Sequence, residues 1–177
     1  LSNQGGTFYS SSEVAAKAYA RRYFNHTRKD GIEYGAIIYS KTYGGKTVYW
    51  LGSLQAGDAT TIEPNFAADQ SLLNIGWDIA GFIHAHPNGI SFSKDDDRDA
   101  HLSAVAQYSR DDIYSYVSYV VFLHQRKYLL IHGMAIWENE GLMIYPVGSD
   151  YLYPDLSRQG QHGTIAITYY RLYRSEE

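Results

Sequence analysis

The stretch Gly81-Phe82-Ile83-His84-Ala85-His86-Pro87-Asn88-Gly89-Ile90-Ser91-Phe92-Ser93-Lys94-Asp95-Asp96 concentrates the side chains that can do chemistry. Residues two apart on a β-strand point to the same face, so a strand here makes the His84 and His86 imidazoles converge. Two adjacent imidazoles are poor core filler, because each carries polar nitrogens that need partners. They are a natural half of a divalent-metal site. A third ligand must come from elsewhere. Asp96 is the best candidate, in the first turn of the helix expected after the Pro87–Phe92 excursion. A set of two histidines and one aspartate leaves the fourth position open for water, as catalytic zinc requires, and such a water has its pKa lowered to about 7.

Plainer roles compete for the same residues. Ser93 fits a helix N-cap, and Asp95, Asp96 and Asp97 are each favourable at a helix N-terminus by roughly 0.3–1 kcal/mol. Capping and ligation are compatible for Asp96, because the cap fixes the helix end that carries it. Asp95 and Asp97 read as solvated, dipole-compensating charge. A lone His-x-His is weak in a chain with seven histidines; the linked Pro87 and Ser93-x-x-Asp96 strengthen it. His101 falls on another face of the same helix, and His26, His124, His132 and His162 have no ligand-like partner nearby in sequence.

His84-x-His86-Pro87 followed by Ser93-x-x-Asp96, with Glu33 about fifty residues upstream, resembles the signature of the JAMM metalloproteases, also called JAB or MPN-plus. The resemblance implies that His84, His86 and Asp96 bind Zn2+, that Glu33 is the general base, and that Ser93 helps hold the oxyanion. Glu33-Tyr34-Gly35 opening an apolar strand, after a helix containing Glu13-Val14-Ala15-Ala16, resembles a bacterial JAB-like branch that often ends Rhs-type polymorphic toxins. It covers roughly residues 8–145. The signature usually has seven residues between the second histidine and the serine; this chain has six. If the shorter loop rotates the helix start, Asp95 or Asp97 replaces Asp96 at the metal.

Taken whole, the resemblance implies a zinc-dependent peptidase or isopeptidase, the toxic effector domain of a larger secreted or delivered protein. Its substrate is then a protein or peptide in the cytosol of a target cell, and a cognate immunity protein is an expected partner. The implied fold is a JAMM-like (cytidine-deaminase-like) sandwich, a central mixed β-sheet with flanking helices. Leu1 in place of Met fits release from a precursor and fits an arbitrary boundary equally well.

The elements that must position these residues are legible in the pattern. Ser10-Ser11-Ser12-Glu13 reads as a capping box with Ser10 as the cap, opening a helix with Val14, Ala15, Ala18, Tyr19 and Tyr23 on one stripe and an end at Asn25–Gly31. Tyr34–Tyr39 and Lys46–Leu51 read as strands of a hairpin turning at Thr42-Tyr43-Gly44-Gly45. Gly52–Pro64 reads as a loop, Ala67–Trp77 as a helix with Leu72, Leu73 and Trp77 inward, and Ile79–Ala85 as a buried strand. Ser93–Tyr108 reads as a helix. Tyr114–Leu123, Tyr128–His132, Met134–Trp137 and Leu142–Val147 read as strands, and Thr164–Tyr173 as β-rich. Helices interspersed with hairpins indicate an α+β or mixed α/β class. The division expected is a flexible lead-in at 1–7, a hydrolase domain at 8–147 and a C-terminal extension at 148–177.

Composition narrows the field. At 177 residues one core is the default. Zero cysteines exclude disulfide scaffolds, thiolate zinc sites, cysteine proteases, iron–sulfur clusters and the cysteine-ligated nucleobase deaminases. They also suit a domain that must unfold, cross membranes and refold. No apolar run nears the roughly 18–20 residues of a membrane span, so no membrane partner is expected. A net charge of −4, with the acidic Asp95–Asp99 cluster beside the motif, opposes polyanion binding, and the eighteen tyrosines fall mostly at strand positions where packing accounts for them. Two alternatives stay open: a non-catalytic JAMM-like protein-binding module, and a metal-dependent hydrolase of a non-amide substrate such as a nucleotide. Gly52–Pro64 and Asn88–Phe92 are the loops where target specificity would sit.

Overall fold

The α1 helix, Ser12–Asp30, forms because small and aromatic residues recur at helical spacing behind a serine cap. The cap is Ser11, whose side chain accepts from the Val14 amide, one residue later than the expected Ser10. The buried stripe is Ala15, Ala16, Tyr19, Ala20, Phe24 and Thr27; Val14, expected inside, is 40% exposed. The buried stripe is set by which face packs on the sheet, about one residue along from the expected one, and its alanines let the helix lie close. Gly31, at φ 68°, ends the helix in the left-handed conformation and donates to the Thr27 carbonyl.

The computed structural model describes residues 2–3, 6–91, 117–126, 128–136, 142–146, 162–164 and 169–170. The expected helix at Ser93–Tyr108 lies outside them. Among the described residues the strands are β1 (Ser2–Asn3), β2 (Gly6–Thr7), β3 (Tyr34–Tyr43), β4 (Lys46–Leu51), β5 (Gln55–Ala56), β6 (Asp78–Ala85), β7 (Val117–His124), β8 (Tyr128–Ile136), β9 (Leu142–Pro146), β10 (His162–Thr164) and β11 (Tyr169–Tyr170). β1 and β2 pair with each other. The rest form one mixed sheet ordered β10-β9-β8-β7-β6-β3-β4, with β5 also on β3 and β11 also on β8. The β6–β7 and β9–β10 pairs are parallel and the others antiparallel. The protein is therefore α+β with a mixed sheet.

Three expectations need correction. The Ala67–Trp77 helix is a 3-10 turn at Phe66–Asp69 followed by a short α2, Gln70–Asn74. Gly76, at φ 92°, cannot extend it, although Trp77 is buried and Leu72 and Leu73 pack inward as expected. Tyr128–His132 and Met134–Trp137 are not separate strands, because Gly133 pairs with Tyr119 in the middle of β8. Gly52–Pro64 is not all loop, since Gln55–Ala56 forms β5 on the start of β3.

Strand alternation divides the core into two layers. Ala36, Ile38, Ile83, Ala85, Tyr119 and Val121 meet α1, which lies across β3, β4, β6 and β7. Ile37, Tyr39 and Phe82 face the other way and pack with Trp77 and, around it, Phe66, Leu72 and Leu73. The two histidines share this second face. At Gly35 a Cβ would lie 2.6 Å from Phe82 Cζ and 2.9 Å from the Ile83 carbonyl oxygen, so only glycine lets β3 pass this close beside β6. Among the described residues no helix is long and apolar enough to cross a membrane.

Candidate metal centre

Register brings three polar side chains to one spot. β3 and β6 run antiparallel with Tyr34 opposite Ala85 and Gly35 opposite His84. Continuing that register by one residue sets Glu33 opposite His86, on the face that His84 also occupies. The His86 amide donates to the Val121 carbonyl at 2.8 Å, which carries the end of β6 onto β7. Glu33 is held by its backbone: its amide donates to the Asp58 carbonyl and its carbonyl accepts from the Gly57 amide, both at 2.7 Å.

The Asp58 carboxylate accepts from the Thr60 and Thr61 amides at 2.9 and 2.8 Å and from the Thr61 hydroxyl at 3.0 Å, and these bonds lower its pKa. The segment read as a specificity loop thus has a structural task, gripping the residue that presents Glu33.

The three side chains are almost dry, at 5% exposure for Glu33, 4% for His84 and 5% for His86. The Nε2 atoms of His84 and His86 are 3.0 Å apart. Glu33 Oε1 lies 3.9 Å from His84 Nε2, and Oε2 lies 3.9 Å from His86 Nε2. His86 Nδ1–H donates to the Ile90 carbonyl at 2.7 Å, which leaves the Nε2 lone pair of a neutral imidazole aimed at His84. His84 in turn stacks on Phe82, with ring centroids 5.9 Å apart and planes 19° from parallel. One ligand atom from each residue falls within a 4.8 Å cluster, so this buried set could hold a metal ion. Two nitrogens bound to one tetrahedral zinc stand about 3.3 Å apart, close to the separation here. Glu33 is too buried to be a surface carboxylate that merely flanks a strand.

Ser93 and Asp96, the expected oxyanion donor and third ligand, lie outside the described residues, as do Asp95 and Asp97. His26 and His124 are exposed, whereas His101 and His162 lack described side chains. His132 has no metal-ligating neighbour in sequence, as read, but it has a tertiary hydrogen-bond partner. Its Nδ1 is hydrogen-bonded to Ser91 Oγ, its ring meets Phe122 edge to face at 4.9 Å, and burial, aided by His124, lowers its pKa to about 4. No local spacing signals this pair, since the two residues lie far apart in sequence. On the α1 side, burial pushes the Tyr19 phenol pKa well up, with Tyr23 and the Glu33 charge adding to the effect. A groove of about 330 Å³, lined by Phe24, Arg28, Pro87, Leu123 and Arg126, adjoins the residue that follows His86.

No protein-family model matches the chain. No curated protein matches it either. Among solved structures it is similar to protein DSY2949 from Desulfitobacterium hafniense, a structural-genomics target, with a TM-score of 0.42 and 16% identity over 70% of this chain and 84% of that one.

Proposed function

We propose that this chain is a zinc-dependent hydrolase of amide or isopeptide bonds, of the JAMM type. The observation that carries the reading is the buried convergence of Glu33, His84 and His86, with two imidazole nitrogens 3.0 Å apart and the carboxylate 3.9 Å from each. A direct co-ligand of tetrahedral zinc would stand about 3.3 Å from the nitrogens. The longer separation supports Glu33 as a base set back from the metal, and leaves the third ligand to Asp96. When bound, zinc supplies Lewis acidity toward the scissile carbonyl and lowers the pKa of a water to about 7. Glu33 would hold the base position, able to accept a proton from a water and to return it to the leaving amine. The Ser93 hydroxyl donates to the developing oxyanion. The antiparallel β3–β6 pair beside a parallel β7 is compatible with a JAMM-like sandwich. The toxin assignment, with delivery into a target cell and a cognate immunity protein, rests on the sequence resemblance alone.

Metal analysis of the purified protein tests this. One zinc per chain is expected, and Glu33→Gln should keep the metal while losing turnover of peptide and isopeptide substrates. Absence of stoichiometric zinc, with unchanged stability in His84→Ala, overturns the reading. The six-residue interval between His86 and Ser93 favours one rival, a JAMM-like module that binds a protein partner without catalysis. That rival predicts an intact fold with no hydrolysis of any peptide or isopeptide, metal present or not.

A further inference from the structure

The loop leaving His86 is tied down at two successive residues by two different strands. Ile90 supplies the carbonyl that accepts from His86 Nδ1–H. The next residue, Ser91, is hydrogen-bonded through its hydroxyl to Nδ1 of His132. His132 lies in the transverse row of His84: β6 pairs His84 with Val120, and β8 pairs His132 with Val120. Directly paired residues share a face, so His132 stands on the site's side of the sheet, two strands or about 10 Å across from His84. Phe122 braces its ring. The tether therefore runs from a ring on a central strand to the peptide that carries the Ile90 carbonyl.

The consequence lies at His86. Which nitrogen of an imidazole carries the proton is set by the hydrogen bond that the other makes. A carbonyl that wanders in a solvent-exposed turn would let both tautomers form, and one of them points N–H, not a lone pair, into the site. We infer that Ser91 and His132 are positioning residues that hold the Ile90 carbonyl in place and so keep His86 in its Nδ1–H, Nε2-donor form. This rests on the proposed metal site, but it concerns a state that exists without metal. Partners of metal-bound histidines typically contribute 10–100-fold to metal affinity. A tether one step further out should fall toward the lower end of that range.

Two readouts on the full chain test it. In metal-free protein, imidazole 15N shifts should report a single Nδ1–H tautomer for His86, becoming a mixture in Ser91→Ala and His132→Ala. Zinc affinity, measured by competition with a chromophoric chelator, should fall about tenfold in each variant and little further in the double variant. His132→Asn, which keeps a polar atom near the Nδ1 position, should restore most of the loss. An unchanged His86 tautomer, with zinc affinity within twofold of the parent, overturns the inference. If the parent binds no zinc, the proposed function fails, and the 15N shifts still decide whether Ser91 and His132 position His86.

Discussion

Two buried carboxylates lie against β3, Glu33 just before its first residue and Asp69 beside Tyr39 in its middle, and their surroundings differ in kind. Asp69 has a fixed donor on each oxygen: the Tyr39 hydroxyl on Oδ2 and the Ser53 amide on Oδ1, both at 2.8 Å. Gly52 presses so close that a Cβ there would lie 2.3 Å from Oδ2. Burial, and after it the hydrogen bond to and charge of Asp69, push the Tyr39 phenol pKa far up, so the tyrosine stays a donor. Glu33 is as dry, and its Oε1 and Oε2 lie 3.9 Å from the Nε2 atoms of His84 and His86, near enough for a bridging water or cation. Asp69 is a completed structural unit that ties the 52–69 segment to the sheet. Glu33, with His84 and His86, belongs to a buried cluster whose ligand atoms could hold a metal ion. Burial alone does not separate a structural acid from a functional one; the distance and identity of what faces each oxygen does.

The comparison breaks most visibly if Glu33 behaves like Asp69. Under the proposed mechanism, Glu33→Gln reduces turnover of a cleavable peptide by about 10²–10⁴-fold while bound zinc stays near one per chain. Loss of metal together with turnover would instead make Glu33 a ligand. His84→Ala should weaken zinc by at least about a hundredfold in chelator competition, whereas Tyr39→Phe should leave the metal untouched. Asp69→Ala sharpens the other side: it strands the Tyr39 hydroxyl and the Ser53 amide and should cost about 2–4 kcal/mol in urea unfolding, with the zinc affinity of the folded protein unchanged.

Smaller effects follow. Unfolded His132 takes up a proton near its ordinary pKa of 6.5, but the folded residue does so only near 4. Between those values the unfolded chain holds the extra proton, so the stability present above about pH 6.5 is lost progressively toward pH 4. His132→Asn should flatten that acid limb in urea midpoints taken across the interval. Ser11→Ala removes the α1 cap, far from either carboxylate, and should cost about 1 kcal/mol with no change in metal binding.

What could be read from sequence depended on how local the cause was. The convergence of His84 and His86 follows from strand alternation within three residues, and the burial of Ala80–Ala85 from a short run that is apolar apart from His84. Glu33 could be singled out only through the motif it accompanies; its burial comes from β3–β6 register, which no nearby residue announces. The Ser91–His132 and Tyr39–Asp69 pairs are tertiary, each joining residues with no shared periodicity. Boundaries slipped where two serines competed for one cap, where Gly76 cut α2 short, and where Gly133 looked like a break but kept its place in the β8 ladder.

The described donors come from the first half of the chain, and the pair of strands that unites them is antiparallel. Closing β3 onto β6 spans at least as much chain as closing β6 onto β7, so loop entropy does not order the two pairings and the order in which the chain becomes available does. Glu33, His84 and His86 all precede Val121, so where the chain becomes available gradually the bond from the His86 amide to the Val121 carbonyl is added last, as a latch. In a chain emerging in N-to-C order, whether from a ribosome or through a narrow channel, the donor cluster would assemble before the strand that locks it.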